Sequence, residues 1–222
     1  MSTILVIAPH PDDETLGCGG TLLRHKNDGD VIHWLIVTEI TTEGGFTQQQ
    51  IDKRKLEMTQ VADLYGFDSV SILGFPTAQL DTAPMKKMVQ KIGETFHNIR
   101  PDTVYLPHPG DIHSDHKFVF ESGMSCTKWF RYPFIKRILV YETLSETELG
   151  INPSHTKFSP NVYVDITSFL DRKIEIMKVF QSEMGEFPFP RSEEAIRALS
   201  AYRGSSSGFQ FAEGFMLIKE VI

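Results

Sequence analysis

Residues 4–14 of the chain, ILVIAPHPDDE, place charged and metal-binding side chains at the mouth of an apolar run. The run from Ile4 to Ala8 is typical of a short strand that is buried on both faces of a sheet. A chain leaving such a strand usually turns with small or neutral residues. Four side chains of the opposite kind fall within five positions here: His10, Asp12, Asp13 and Glu14. This turn therefore indicates a functional site.

Apolar runs alternate with helical patterns through the first half of the chain. After the first strand, the patterns predict strands at 31–39, 69–75 and 102–109 and helices at 19–29, 47–65 and 84–99. The second half is less regular, with strands predicted at 137–143 and 161–167, helices at 168–184 and 193–204, and an edge strand at 214–222. Strands separated by helices favour an α/β fold, a Rossmann-like, mostly parallel sheet with helices on both faces.

Length and composition indicate one domain that spans residues 1–222. The chain is 41% hydrophobic and 23% charged, which is typical of a soluble globular protein. Its formal net charge of -7 argues against non-specific nucleic-acid binding. Cys18 and Cys126 form no CxxC pair, so neither a disulfide framework nor a thiolate zinc site is predicted. Without a membrane-length apolar run or a basic leader, we expect a cytoplasmic protein with no stable membrane insertion.

A second cluster of the same chemistry follows the fourth predicted strand. The stretch 108–116, HPGDIHSDH, holds three of the eight histidines of the chain. In open α/β sheets, ligands bind outside the carboxyl ends of the strands. Both clusters are therefore expected to open onto the same edge of the sheet.

Together the clusters offer imidazole nitrogens and carboxylate oxygens, a donor set that suits zinc or another borderline divalent cation. His10 and Asp13 are three residues apart and can converge on one point, with Asp12 between them to face a metal-bound water. In the second cluster one of His113 and His116 can bind the metal while the other faces a substrate carbonyl. A carboxylate near the water can take its proton.

The paired motifs resemble those of the LmbE-like (PIG-L) family of zinc-dependent N-deacetylases. PHPDDE follows an N-terminal strand, and HSDH follows about a hundred residues later. Three further segments also sit where the family has similar ones: RKLE at 54–57, LGF at 73–75 with Asp81 after it, and AEGF at 212–215. The resemblance thus covers essentially the whole chain.

The resemblance implies roles for six residues and a reaction. The implied metal ligands are His10, Asp13 and His116, which would hold one Zn2+ per chain. Asp12 is implied as the general base, and His113 as the group that stabilises the oxyanion and protonates the leaving amine. Asp115 is implied to orient His113. The implied activity is hydrolysis of an N-acetyl group from a small-molecule amino sugar or its conjugate.

Several alternatives stay open on the sequence alone. Arg54 is a candidate substrate contact or a helix-face charge beside Glu57. An amidase of a larger thiol-sugar conjugate, a non-catalytic metal-binding module and another divalent metal are compatible with the same residues, and a homo-oligomer is also open. A dinucleotide-binding oxidoreductase is less favoured: GCGG follows the first strand, but acidic residues crowd the turn where a pyrophosphate would bind.

The remaining polar residues considered have structural or solvent-exposed roles as one or the only expected interpretation. Asp111 and His108 either border the site or are hydrated loop residues, and Glu14 favours the N-terminus of the first helix. Four histidines lack a partner pattern and are expected to be structural: His25, His33, His97 and His155.

Overall fold

The apolar run at the start of the chain forms the central strand of a parallel sheet. In the computed structural model, which describes residues 1–150 and 157–222, β1 (Thr3–Ala8) pairs in parallel with β2 (Val31–Glu39) on one side. On its other side β1 pairs in parallel with β4 (Thr103–Pro107). Every residue from Ile4 to Ala8 is fully buried, as expected for a strand covered on both faces.

Thirteen elements make up the described residues. The remaining strands are β3 (Ser69–Pro76), β5 (Arg137–Tyr141), β6 (Val162–Asp165) and β7 (Ala212–Glu220). The helices are α1 (Asp13–Asn27), α2 (Gln48–Tyr65), α3 (Met85–Ile99), α4 (Ser114–Ser125), α5 (Leu170–Met177) and α6 (Glu193–Ser205). The strand order β3-β2-β1-β4-β5-β7-β6 confirms the predicted single-domain, mostly parallel α/β fold.

Side chains of β1 alternate between two hydrophobic cores, one on each face of the sheet. Ile4 and Val6 pack in a core closed by α1, α2, α5 and α6. Leu5 and Ile7 pack in the other core, which α3 and α4 close. Helices therefore cover both faces, as the βαβ pattern predicts.

Local sequence signals set several helix ends. Thr47 caps α2 through a capping box with Gln50, and Gly66 ends the helix in the left-handed region at φ 67°. The helix predicted at 168–184 is shorter, because α5 ends at Met177. Backbone bonds from Val179 to Ile176 and from Phe180 to Met177 then tighten the chain and turn Phe180 into the core.

The C-terminal strand was expected at the edge of the sheet, and this prediction is wrong. β7 lies between β5 and β6 and is antiparallel to both. β6 is the edge strand on that side. The first part of β7 is buried, with Phe215 fully covered, so it needs pairing partners on both sides.

The glycines that suggested a dinucleotide fingerprint lie inside α1. A Cβ at Gly17 would stand 2.3 Å from Tyr141 Cδ2, and one at Gly20 would stand 2.6 Å from Ile166 Cγ2. They let α1 approach the sheet and its neighbours closely and do not form a phosphate-binding turn. The structure thus supports a packing role for these residues in place of the oxidoreductase alternative.

Two of the histidines expected to be structural make hydrogen bonds and a third stacks. His25 bonds Asp30 at 2.8 Å, His33 bonds Ser69 at 2.7 Å, and His97 stacks on Tyr132 with ring centroids 4.9 Å apart. His155 lies outside the described residues. Among the described helices, none combines the length and the apolar character needed to cross a membrane.

The tight packing of α1 can be tested with Gly17→Ala. An overpacked methyl group costs about 1–3 kcal/mol, which exceeds the roughly 1 kcal/mol that alanine gains over glycine in a helix. Tyr141 cannot yield easily, because it is fully buried and its hydroxyl donates to the Ile7 carbonyl at 2.9 Å. We expect urea unfolding to show a lower free energy of unfolding.

Asn27→Ala, at the exposed end of the same helix, is the matched control and should leave stability unchanged or slightly higher. A Gly17→Ala protein as stable as the wild type would refute the packing role.

Candidate active site

The two charged loops meet at the carboxyl edge of β1 and β4. These strands are neighbours, and the strand order reverses direction between them, which is where open α/β sheets bind ligands. The ring centroids of His10 and His116 are 5.7 Å apart, although the residues are 106 positions apart in the chain. The expectation that both clusters share one edge is therefore confirmed.

His10, Asp13 and His116 have the geometry of a metal-binding set. Asp13 Oδ2 lies 3.3 Å from His10 Nδ1 and 3.4 Å from His116 Nε2. Tetrahedral zinc ligands at their usual bond lengths lie about 3.3 Å from one another. His116 Nε2 is buried and has no hydrogen-bond partner. An orphaned buried nitrogen beside a carboxylate and a second imidazole fits a bound cation.

Each histidine of this set is oriented by a further carboxylate. His10 Nε2 lies 3.0 Å from Asp115 Oδ2, and His116 Nδ1 lies 2.7 Å from Asp111 Oδ2. When the outer ring nitrogen donates to a carboxylate, the inner nitrogen keeps a lone pair for a metal. From the sequence, Asp111 could either border the site or be a hydrated loop residue. The structure shows that it is a buried partner of His116.

The charges of the set favour a bound cation. Burial disfavours the imidazolium of His10, but hydrogen bonds to Asp115 and Asp13 outweigh burial and raise the pKa of His10 to about 9. Burial by itself would raise the pKa of Asp13. The neighbouring His116 and His10 outweigh it and hold the pKa of this carboxyl well below its usual range. Both effects show that the carboxylates stabilise positive charge at this point.

Asp115 occupies a different position from the one expected. Its carboxylate bonds His10 and accepts the backbone N–H groups of Ala78 at 2.8 Å and Leu80 at 3.2 Å. Only its backbone N–H reaches His113, donating to Nδ1 at 3.2 Å. Because α4 starts at this point, the backbone contact is the capping bond of the helix. The carboxylate of Asp115 therefore orients His10 and not His113.

His113 faces the cavity as the cap of α4. Its ring centroid lies 4.5 Å from that of His10. Burial and the neighbouring His10 lower the pKa of His113 to about 4. Since Nδ1 accepts a backbone N–H, the neutral ring carries its proton on Nε2.

Asp12 is held in a strained backbone conformation beside the metal-binding set. Its φ of 133° is rare for a residue with a side chain. Two hydrogen bonds to the first turn of α1 fix this conformation. The Asp12 N–H donates to Glu14 Oε2 at 3.1 Å, and the Asp12 carbonyl accepts from Leu16 N at 2.9 Å. Such strain persists only where the surroundings over-determine it, and it is common at functional sites.

The carboxylate of Asp12 is buried and paired with an arginine that the sequence analysis missed. Arg191 Nη1 donates to Asp12 Oδ2 at 3.0 Å and to Glu183 Oε2 at 3.0 Å, and its Nε donates to Ser145 at 2.8 Å. Burial and the charge of Asp13 raise the pKa of Asp12 well above its usual value, and Arg191 opposes that rise. Arg191 lies 179 positions from Asp12 in a loop without a motif, so no sequence signal pointed to it.

A cavity of about 530 Å³ lies in front of this set, and its wall includes His10, Asp12, Asp13, His113, Glu183 and Arg191. Its wall also includes Phe46, Ile40 and Met58, which add apolar surface. Arg54, which the sequence made a candidate for either a substrate contact or a helix-face charge, lies in the wall as well. Its guanidinium is already engaged, donating to the Pro11 carbonyl at 3.0 Å and pairing with the carboxylates of Glu57 and Glu183.

A protein-family model and a known deacetylase both match this chain. A family model described as PIG-L, GlcNAc-PI de-N-acetylase, matches residues 5–127, more than half of the chain. The chain is 26% identical over 223 residues to a diacetylchitobiose deacetylase of Thermococcus kodakarensis, covering 97% of this chain and 82% of that protein.

Two solved structures share the fold. The conserved protein TT1542 from Thermus thermophilus superposes with a TM-score of 0.77 and 27% identity, over 100% of this chain and 97% of that one. An N,N'-diacetylchitobiose deacetylase from Pyrococcus horikoshii, complexed with the inhibitor MPG, gives a TM-score of 0.79 at 21% identity, covering 97% and 83%.

The orienting role of Asp111 predicts a loss of metal affinity in Asp111→Asn. An amide in place of the carboxylate weakens the hold on the outer nitrogen of His116, and loss of such partners typically costs 10–100-fold in affinity. Zinc competition titrations with a chelator would measure this change. Asp63→Asn, at an exposed position on α2, should bind zinc like the wild type; equal affinities in both variants would contradict the role of Asp111.

Proposed function

Because this chain belongs to the PIG-L family of de-N-acetylases, we propose that it removes an N-acetyl group from an amino sugar or an amino-sugar conjugate. We propose that residues 1–222 act as one catalytic domain that binds one zinc ion. His10, Asp13 and His116 would hold that ion. The observation that carries the proposal is the convergence of their three ligand atoms at the cavity whose wall contains His10, Asp13, Asp12 and His113.

When bound, zinc supplies a water of lowered pKa and polarises a carbonyl group. The protein must then accept a proton from the attacking water. Asp12 is the candidate for this step, because its carboxylate lies in the cavity wall next to Asp13. A carboxyl whose pKa is raised by burial is a stronger base than an exposed one.

His113 would stabilise the negative charge that develops on the carbonyl oxygen of the substrate. Its Nε2–H is the free donor of the ring, since Nδ1 accepts the backbone N–H of Asp115. A donor placed where charge develops stabilises the transition state. The neutral ring has no second proton to give, so we assign protonation of the leaving amine to Asp12, which has just received one. This assignment replaces the role expected for His113 from the resemblance.

Arg191 would position Asp12 for both proton transfers. It bridges Asp12 and Glu183 with one nitrogen, while its Nε is fixed by Ser145. A lysine at this position would keep the charge but could not make these bonds with one rigid planar group.

The test of the function is acetate release from N,N'-diacetylchitobiose by zinc-loaded protein, with and without a chelator. We expect Asp12→Asn to keep its zinc but lose roughly 10²–10⁴-fold in kcat, the usual contribution of general acid–base catalysis. His116→Ala should instead lose zinc. If Asp12→Asn turned over substrate as fast as the wild type, Asp12 would have no part in the mechanism. If the zinc-bound wild type hydrolysed no N-acetyl substrate, the protein would be a metal-binding module without this activity.

The positioning role of Arg191 predicts that Arg191→Lys lowers kcat about tenfold or more with little change in KM, because misplaced catalytic groups cost rate. Steady-state kinetics on the same substrate would measure both constants. Arg197→Lys, in a surface ion-pair network on α6, is the matched control and should behave like the wild type. An unchanged kcat in Arg191→Lys would contradict the role.

A further inference from the structure

We infer that the substrate is an uncharged N-acetylated glycoside or oligosaccharide, with no phosphate or carboxylate group beside the acetamido sugar. This inference rests on the proposed function and narrows its substrate class. It follows from the charges of the cavity wall and from the way in which the basic residues there are already paired.

Carboxylates outnumber basic side chains around the cavity. Six acidic residues line it: Asp12, Asp13, Glu39, Glu57, Glu146 and Glu183. Among the described residues, three lysine or arginine side chains line it: Lys53, Arg54 and Arg191. The segment 151–156, INPSHT, contains no lysine or arginine. A bound zinc ion would add positive charge at the floor, where Asp111 and Asp115 lie behind the histidines.

Both arginines are engaged by the protein itself. Glu183 accepts from Arg54 and, through its other oxygen, from Arg191 at 3.0 Å. Arg54 further pairs with Glu57 at 3.2 Å, and Arg191 further pairs with Asp12 at 3.0 Å. An anionic substrate group that reached either guanidinium would therefore lie beside these carboxylates, and at Arg191 also beside Glu146, whose Oε1 is 3.7 Å from Nη2. Such like-charge contacts disfavour binding.

Lys53 is the remaining lysine or arginine of the wall among the residues that the structure describes, and it too has partners. Its Nζ lies 3.7 Å from Glu57 Oε1 and donates to Gln181 Oε1 at 3.2 Å. The side chain is 51% exposed, so water screens its charge. It therefore adds little attraction for an anion inside the cavity.

The same wall suits the hydroxyl groups and ring faces of a neutral sugar. Carboxylates such as Glu146 and Glu39 are acceptors for sugar hydroxyls. Phe46 offers an aromatic face at the wall, next to the apolar side chains of Ile40 and Met58. Each of these carboxylates has a basic partner at 3.7 Å, Arg191 for Glu146 and Lys55 for Glu39, but it can accept a sugar hydroxyl without losing that partner.

The first experiment compares uncharged and phosphorylated substrates on the zinc-loaded enzyme. N,N'-diacetylchitobiose and methyl N-acetylglucosaminide are the uncharged members, and N-acetylglucosamine 1-phosphate and 6-phosphate are the anionic ones. We expect kcat/KM about tenfold or more higher for the uncharged members, with a gap that narrows as salt screens the carboxylates. Equal or faster turnover of either phosphate would overturn the inference. Acetate release from no member of the panel would instead refute the proposed function, and the inference with it.

The second experiment changes the residue that engages both arginines. Glu183→Gln removes one negative charge and loosens the hold on Arg54 and Arg191. The ratio of kcat/KM for N-acetylglucosamine 6-phosphate to that for methyl N-acetylglucosaminide should then rise about tenfold. Glu186→Gln makes the same charge change at an exposed position outside the cavity wall, and should leave this ratio unchanged. Zinc retention reports whether each variant is folded, and an unchanged ratio in folded Glu183→Gln would overturn the inference.

Discussion

The parallel pairing of β1 with β4 is the constraint on which the site depends. In register, Ile4 lies beside Thr103 and Val6 beside Tyr105, so both strands deliver their following loops to the same edge of the sheet. Both loops are short: β1 ends at Ala8 and α1 begins at Asp13, while β4 ends at Pro107 and α4 begins at Ser114. The candidate ligands are thus held between rigid strand ends and helix starts, which limits how far they can drift from a shared point.

Concentrating buried carboxylates at this edge requires compensation, and the structure supplies it with fixed partners. Asp111 and Asp115 bond the histidines, and Arg191 bonds Asp12. A buried charge without such partners would be costly. The paired arrangement also explains the selectivity that we infer, because the groups that neutralise the carboxylates are no longer available to an anionic substrate.

A buried ion pair between Lys173 and Glu213 also holds α1 in place. Glu213 of β7 accepts the N–H groups of Gly20 and Thr21 at 2.9 Å and 2.8 Å, and Lys173 of α5 donates to it at 2.7 Å. Lys173 also donates to the Leu16 carbonyl at 2.8 Å. The AEGF segment therefore supports the helix that carries Asp13, and Gly19 of that helix lets the side chain of Lys173 pack closely against it.

The sequence by itself determined the parallel α/β architecture and the candidate ligands, because both arise from local patterns. Buried strands, helix caps and the two clusters around His10 and His116 are each readable over a few residues, and the order of strands and helices brings those clusters to one edge. Tertiary structure alone decided which carboxylate orients which histidine, that Arg191 pairs with Asp12, and that the C-terminal strand lies inside the sheet. These outcomes depend on side chains that meet across as many as 179 positions of chain, where only packing and charge pairing in the folded protein select the partner.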